Sequence, residues 1–181
     1  SSGLWIKLGQ DIDGGEAKYD QSGWAVSLSS DGTIVAIGAP FNNGNGTNSG
    51  HVRVYHYSSN SWTQLGGDID GETTQDRSGE SISLSSDGTI VAIGAKRNDD
   101  NGDDSGHVRV YQYQNSSNSW TKLNIDIDGE ASDDYFGYSV SLSSDGTIVA
   151  IGAYGNDGNE SSSGHVRVYQ YSSNSWTQLG G

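Results

Sequence analysis

The sequence has no cysteine and no methionine, one proline, two phenylalanines, and nine Lys or Arg residues against 23 Asp or Glu. Without cysteine there is no disulfide framework and no thiolate metal site. The formal charge of -14 leaves no basic cluster to neutralise phosphates, so nucleic-acid binding is disfavoured and an anionic membrane surface repels the chain. Divalent cations, or a basic or carbohydrate partner, suit that field better. No apolar run approaches the roughly 18 residues that a bilayer-crossing helix needs, so membrane insertion is not expected. No signal peptide is visible and no Met opens the chain, which reads as a processed product or a segment of something longer.

Apolar residues are also scarce, at 31%, below the usual share for a globular chain. They are nevertheless concentrated in short, regularly spaced blocks, which can bury together where a scattered distribution cannot. Those blocks repeat. Ser-Leu-Ser-Ser-Asp-Gly-Thr-Ile-Val-Ala-Ile-Gly-Ala stands unchanged at 27–39, 83–95 and 141–153. Gly-His-Val-Arg-Val-Tyr recurs at 50–55, 106–111 and 164–169, and Asp-Ile-Asp-Gly at 11–14, 68–71 and 126–129. Trp-x-x-Leu begins at Trp5, Trp62, Trp120 and Trp176. The chain is thus a single array over 1–181: repeats at about 5–61, 62–119 and 120–175, then a terminal strand at 176–181.

Each unit carries four strand candidates and no helical periodicity. They are Ala25–Ser29, Thr33–Ala39, His51–Tyr57 and Trp62–Leu65 with their equivalents, the first two joined by a Ser-Ser-Asp-Gly turn. Thr-Ile-Val-Ala-Ile-Gly-Ala does not alternate, so it predicts a strand covered on both faces, as in a sheet held between two neighbouring sheets. The third strand alternates Val52 and Val54 with His51, Arg53 and Tyr55, which predicts a place nearer the exterior. The expected fold is all-β: propeller-type blades, three four-stranded antiparallel repeats plus one surplus end strand. A three-fold β-trefoil-like barrel is the alternative.

These residues resemble FG-GAP repeats, the blades of integrin α-subunit-like β-propellers. The third copy carries the likeness in Phe136-Gly137-Tyr138-Ser139-Val140, Ile151-Gly152-Ala153 and Gly164-His165-Val166-Arg167-Val168-Tyr169, and the first in Gly38-Ala39-Pro40. Copies one and two have Ser22 and Ser78 in place of the Phe. The family's Asp/Asn-rich calcium loop between the first two strands is missing. In its place each copy has a single carboxylate, Asp31, Asp87 or Asp145, where calcium wants about six to eight oxygens. Three blades also fall short of the roughly four to eight of closed propellers. Completion by a longer array, by other chains or by donation of an end strand is therefore expected.

Asp-Ile-Asp-Gly and the acids after it form the strongest site candidate. Alternate residues of an extended segment face one way, so paired carboxylates beside a Gly turn could hold Ca²⁺, the one cofactor the pattern admits. The sets are Asp11, Asp13, Glu16 and Asp20; Asp68, Asp70, Glu72 and Asp76; Asp126, Asp128, Glu130 and Asp134. The competing reading is a solvated linker whose Asp residues make turn hydrogen bonds. A second acidic loop, Asp99, Asp100, Asp103 and Asp104, is rich only in copy two. His51, His107 and His165 are expected to be hydrogen-bonded structural residues, and Arg53, Arg109 and Arg167 to pair with an Asp-Ile-Asp carboxylate of a neighbouring blade. The repeated Trp residues fit packing anchors better than sugar platforms. Asn45, Asn115 and Asn159 match the N-glycosylation pattern.

Near-perfect repetition without a unique constellation points to a non-enzymatic, extracellular or cell-surface structural or adhesive module that associates with copies of itself or further repeats. A multivalent calcium- or carbohydrate-binding module, with a carbohydrate or extracellular protein as partner, is the alternative.

Overall fold

The computed structural model describes residues 3–14, 18–158 and 160–180, and its regular structure is entirely strand and turn. Blade one is formed by β1 (Ala25–Leu28), β2 (Ile34–Ala39), β3 (His51–Ser58), β4 (Ser61–Gln64) and β5 (Ile69–Asp70). Blade two contains β6 (Ser81–Leu84), β7 (Ile90–Ala95), β8 (His107–Gln114), β9 (Ser119–Lys122) and β10 (Ile127–Asp128). Blade three contains β11 (Ser139–Leu142), β12 (Ile148–Ala153), β13 (His165–Ser172) and β14 (Ser175–Leu179). Within each blade the order is first to fourth strand, all antiparallel. Three separate sheets rule out the trefoil-like barrel.

The Ser-Ser-Asp-Gly segment makes the first hairpin because its parts satisfy one another. Gly32 supplies a φ of 72°, and the Asp31 carboxylate accepts from Ser29 Oγ at 2.7 Å and from Thr33 N and Oγ1 at 2.9 Å. Asp87 and Asp145 repeat the arrangement. The lone carboxylate is consumed in closing the turn.

The non-alternating second strand is buried from both sides. Val91 and Ile93 join Ala36, Val52, Val54, Ile69 and Leu84 between blades one and two. Ala92 of the same strand joins Val108, Val110, Ile127, Phe136, Val149 and Ile151 between blades two and three. The inner strands are also stitched laterally. Leu84 N donates to Ser27 Oγ at 3.0 Å, Leu142 N to Ser83 Oγ at 2.9 Å, and Ser30 N and Ser86 N to the carbonyls of Ser86 and Ser144 at 2.8 Å. Gly94 permits this closeness: a Cβ there would lie 2.2 Å from the Gly137 carbonyl oxygen.

The fourth strand holds a bulge that the sequence did not disclose. Tyr55 and Val52 face Gln64 and Ile69, so five steps on the outer edge oppose three on β3. The excess throws out 66–68 and then returns Ile69 to the core, and Ile127 does the same in blade two. Ile69 and Ile127 thus turn inward as expected, although only Ile69 and Asp70, and Ile127 and Asp128, lie in the short strands.

The blades are offset from the Trp-to-Trp repeats. Trp62 and Trp120 end their blades, and residues 175–179 complete blade three. The surplus copy is therefore the first: residues 4–8 form no strand, and Trp5 is 100% exposed. The third strand lies outside the second, as expected, with the fourth strand beyond it. In blade two Arg109 is nevertheless buried among its neighbours, since the polar face of β8 looks toward blade one.

Candidate functional site

The most convergent chemistry lies where β8 begins, against blade one. His107 opens β8 opposite Asp128 of β10. Asp126 stands two residues earlier, on the bulge. Asp100 projects from the loop after β7. Glu72 arrives from blade one, after Gly71, whose backbone is pressed so close to Ser49 that a Cβ would lie 2.0 Å from the Ser49 carbonyl oxygen. One ligand atom from each of Glu72, Asp100, His107 and Asp126 lies within 4.8 Å of all the others.

Two cations frame this group. Arg109 Nη1 is 3.0 Å from Glu72, and its Nη2 donates to the Asp70 carbonyl at 3.3 Å. Lys122 Nζ is 2.6 Å from Asp126 and 3.9 Å from Glu72. His107 is completely buried, and among the described residues neither ring nitrogen has a hydrogen-bond partner. The expectation of a hydrogen-bonded histidine is overturned here, because the nearest carboxylate, Asp100 Oδ2, is 3.9 Å from Nδ1. Burial, and then the Arg109 charge, push the His107 pKa down, so the ring is neutral near pH 7. Asp128 moves the opposite way: burial raises its pKa, and the Asp126, Asp100 and Glu72 charges add to that.

Copy one holds a smaller counterpart, with His51, Asp68 and Asp70 converging. There Arg53 grips Asp68 with two bonds, Nε to Oδ1 at 2.8 Å and Nη2 to Oδ2 at 2.7 Å, which holds the Asp68 carboxyl below the usual range. The expected pairing with an Asp-Ile-Asp carboxylate of a neighbouring blade is replaced by other contacts. Arg53 binds Asp68 of its own blade and also donates to the Gly14 carbonyl at 3.2 Å. Arg109 and Arg167 reach the preceding blade and take Glu72 and Glu130, the acids just after Asp-Ile-Asp-Gly.

The remaining candidate acids separate by role. Asp20, Asp76 and Asp134 are buried and accept from Asn42, Asn98 and Asn156. Asp76 also accepts from Thr73 N at 3.0 Å and Thr73 Oγ1 at 2.8 Å. These three lock a loop to its blade. Asp11 is exposed and pairs with Lys7 at 2.7 Å, and Asp13 is exposed as well. Glu16 lies outside the described residues. Sequence order thus groups acids that the fold divides, while Glu72 and Asp126, assigned to different sets, meet across a blade boundary.

The repeated Trp residues are anchors. Trp62, Trp120 and Trp176 donate to the carbonyls of Leu8, Leu65 and Leu123, one unit earlier in each case. Each also packs on a tyrosine of its own blade, Tyr57, Tyr113 or Tyr171. Asn45 and Asn115 are exposed, and Asn45 Nδ2 donates to the Gly71 carbonyl at 3.0 Å. Asn159 lies outside the described residues.

Stacked four-stranded blades, sharing one core per boundary and one Trp anchor per unit, define a β-propeller-type repeat protein. The FG-GAP repeat model matches residues 12–55, 69–111 and 125–169, and the chain belongs to that family. No curated protein matches the sequence. Among solved structures, the chain is similar to a putative 6-phosphogluconolactonase from Bacteroides uniformis (TM-score 0.57, 12% identity, 84% of this chain and 38% of that one). It is also similar to Kuenenia stuttgartiensis hydrazine synthase (0.55, 15%, 93% and 38%). A third is the periplasmic gluconolactonase of Pseudomonas aeruginosa (0.52, 17%, 81% and 39%). The chain spans less than two-fifths of the length of each, and at these identities the likeness concerns the fold.

Proposed function

We propose that this chain is a non-enzymatic structural or adhesive module of an extracellular or cell-surface setting, built to join further blades of its own kind. One observation carries the reading: the two end faces are the two halves of the internal blade boundary. Val26 and Leu28 of β1 are exposed, Val26 at 63%, whereas their equivalents Ile82 and Leu84, and Val140 and Leu142, pack into the cores between blades. At the other end Val166 is 68% exposed, whereas its equivalents Val52 and Val108 are fully buried. Each end therefore presents the apolar surface that the other is shaped to cover, a head-to-tail arrangement that yields a ring or a filament according to its rotation. The invariant residues of the repeat go into turns, cores and anchors, which supports a structural role over a catalytic one. The exposed sequons at Asn45 and Asn115 support passage through a secretory route.

Sedimentation and negative-stain microscopy of the chain across a concentration series test the reading. Concentration-dependent rings or filaments, dispersed by Val26→Glu, support it. A monomer at every concentration overturns self-association.

A carbohydrate-binding role draws on a different feature, the aromatic rim of blade three. Tyr135 stacks on Tyr154 at 5.0 Å, and Tyr138 meets Tyr154 edge-on at 4.7 Å. A glycan array probes it, with Tyr154→Ala as the control that must lose any signal.

A further inference from the structure

We propose that Glu72, Asp100, His107 and Asp126 form a binding site for a divalent transition-metal ion of the zinc class, clamping blade one to blade two. This goes beyond the structural reading above and does not depend on self-association.

The first support is the state of His107. It is sealed from solvent, and neither ring nitrogen has a hydrogen-bond partner among the described residues. A buried polar group without a partner is uncommon in a folded protein and asks for one. Its Nδ1 faces Asp100 Oδ2 at 3.9 Å, too far for a hydrogen bond. Two donors of one tetrahedral ion, bound at about 2.0–2.2 Å, stand roughly 3.4 Å apart. The group as a whole, with donors within 4.8 Å of one another, needs only a small contraction to enclose an ion.

The second support is that the fourth donor is specific to one copy. Asp100 occupies the position of Gly44 in copy one and Gly158 in copy three. Repetition alone would have placed glycine there. Only the second unit combines the strand-opening histidine, the bulge carboxylate, a loop carboxylate and a glutamate from the preceding blade.

Donor type and charge select the ion. One imidazole nitrogen with carboxylate oxygens suits zinc and its neighbours, whereas calcium takes about six to eight oxygens. Three carboxylates against Arg109 and Lys122 leave a net negative charge around a neutral imidazole, which favours a dication. Arg109 and Lys122 hold Glu72 and Asp126 in place from outside, the role of outer partners at metal sites.

The test is calorimetric titration of Zn²⁺ into the untagged, EDTA-stripped chain, paired with thermal melts. The expected result is one ion per chain and a higher melting temperature with Zn²⁺. Asp100→Gly restores the residue found in the other two copies, so it should fold. Losing even an outer partner of a metal ligand costs about 10–100-fold in affinity, so this variant should bind at least about tenfold more weakly. His107→Asn, checked for folding by circular dichroism, should abolish binding. Absence of Zn²⁺ binding by the native chain, or equal affinity in Asp100→Gly, overturns the site. Displacement of Zn²⁺ by an equal concentration of Ca²⁺ overturns the assignment of the ion.

Discussion

Trp120 Nε1 donates a 2.8 Å hydrogen bond to the Leu65 carbonyl oxygen, tying the outer strand of blade two to the residue that follows β4 of blade one. Trp62 on Leu8 and Trp176 on Leu123 repeat it at 3.0 and 3.1 Å. A neutral hydrogen bond contributes about 1 kcal/mol net, and removing a packed Trp side chain costs about 3 kcal/mol or more. Trp120→Phe should therefore lose about 1 kcal/mol in urea unfolding, and Trp120→Ala about 3 kcal/mol. Trp5→Ala, at a fully exposed position, should stay within about 0.5 kcal/mol of the native chain. Equal losses at Trp5 and Trp120 would contradict the anchor role.

Gly94 and Gly152 occupy the same place in the repeat but not in the structure. A Cβ on Gly94 would meet the Gly137 carbonyl oxygen at 2.2 Å and Ser81 Oγ at 2.3 Å. On Gly152 the nearest atom is the movable Ser139 Oγ at 2.5 Å. Overpacking costs about 1–3 kcal/mol, occasionally more, so Gly94→Ala should lie at or above the top of that range and Gly152→Ala near the bottom. Chemical denaturation of the two variants side by side decides it.

The candidate acids should divide by burial. Asp76→Ala strips Thr73 and Asn98 of a buried acceptor, and a buried group left unsatisfied costs about 1–3 kcal/mol, more when charges are involved. Asp11→Ala removes an exposed pair, worth about 0–1 kcal/mol. Thermal melts should show a clear loss for the first and little change for the second.

The turn carboxylates set an acid limit. Hydrogen bonds from Thr33 N and Ser29 hold Asp31 at about 2, and those from Ser143 and Thr147 hold Asp145 at about 2, against an ordinary 3.8. Asp87 also moves down, burial opposing and its Thr89 and Ser85 bonds prevailing. A pKa depressed on folding adds stability that is present above the unfolded value and lost as the pH falls through the folded one. The melting temperature should thus fall between about pH 4 and pH 2, and Asp31→Asn with Asp145→Asn should flatten that slope. An unchanged slope would place the acid-sensitive groups elsewhere.

Strand positions were readable because each rests on local chemistry. Ile34–Ala39 is apolar on both faces and follows a Ser-Ser-Asp-Gly turn that closes on itself. The bulge between Gln64 and Ile69 was not readable, since Gly66, Gly67 and Asp68 look like linker until β3 is placed opposite. The unpartnered state of His107 was not readable for the same reason. Nothing local to His107 says that water is excluded and that Asp100 stops 3.9 Å away.

By itself the sequence determined the repeat, the all-β character, the turn chemistry and the family, because these follow from backbone preference and apolar pattern within a few residues. The tertiary structure alone decided which copies of identical motifs differ. Val52, Val108 and Val166 are one residue in sequence terms, yet the first two are sealed and the third is 68% exposed. Asp68 and Asp126 likewise share a motif, but one is gripped by Arg53 and the other meets Glu72, Asp100 and His107. The reason is physical: burial and electrostatic partnership depend on which blade stands next door, and a repeat carries no record of its neighbours.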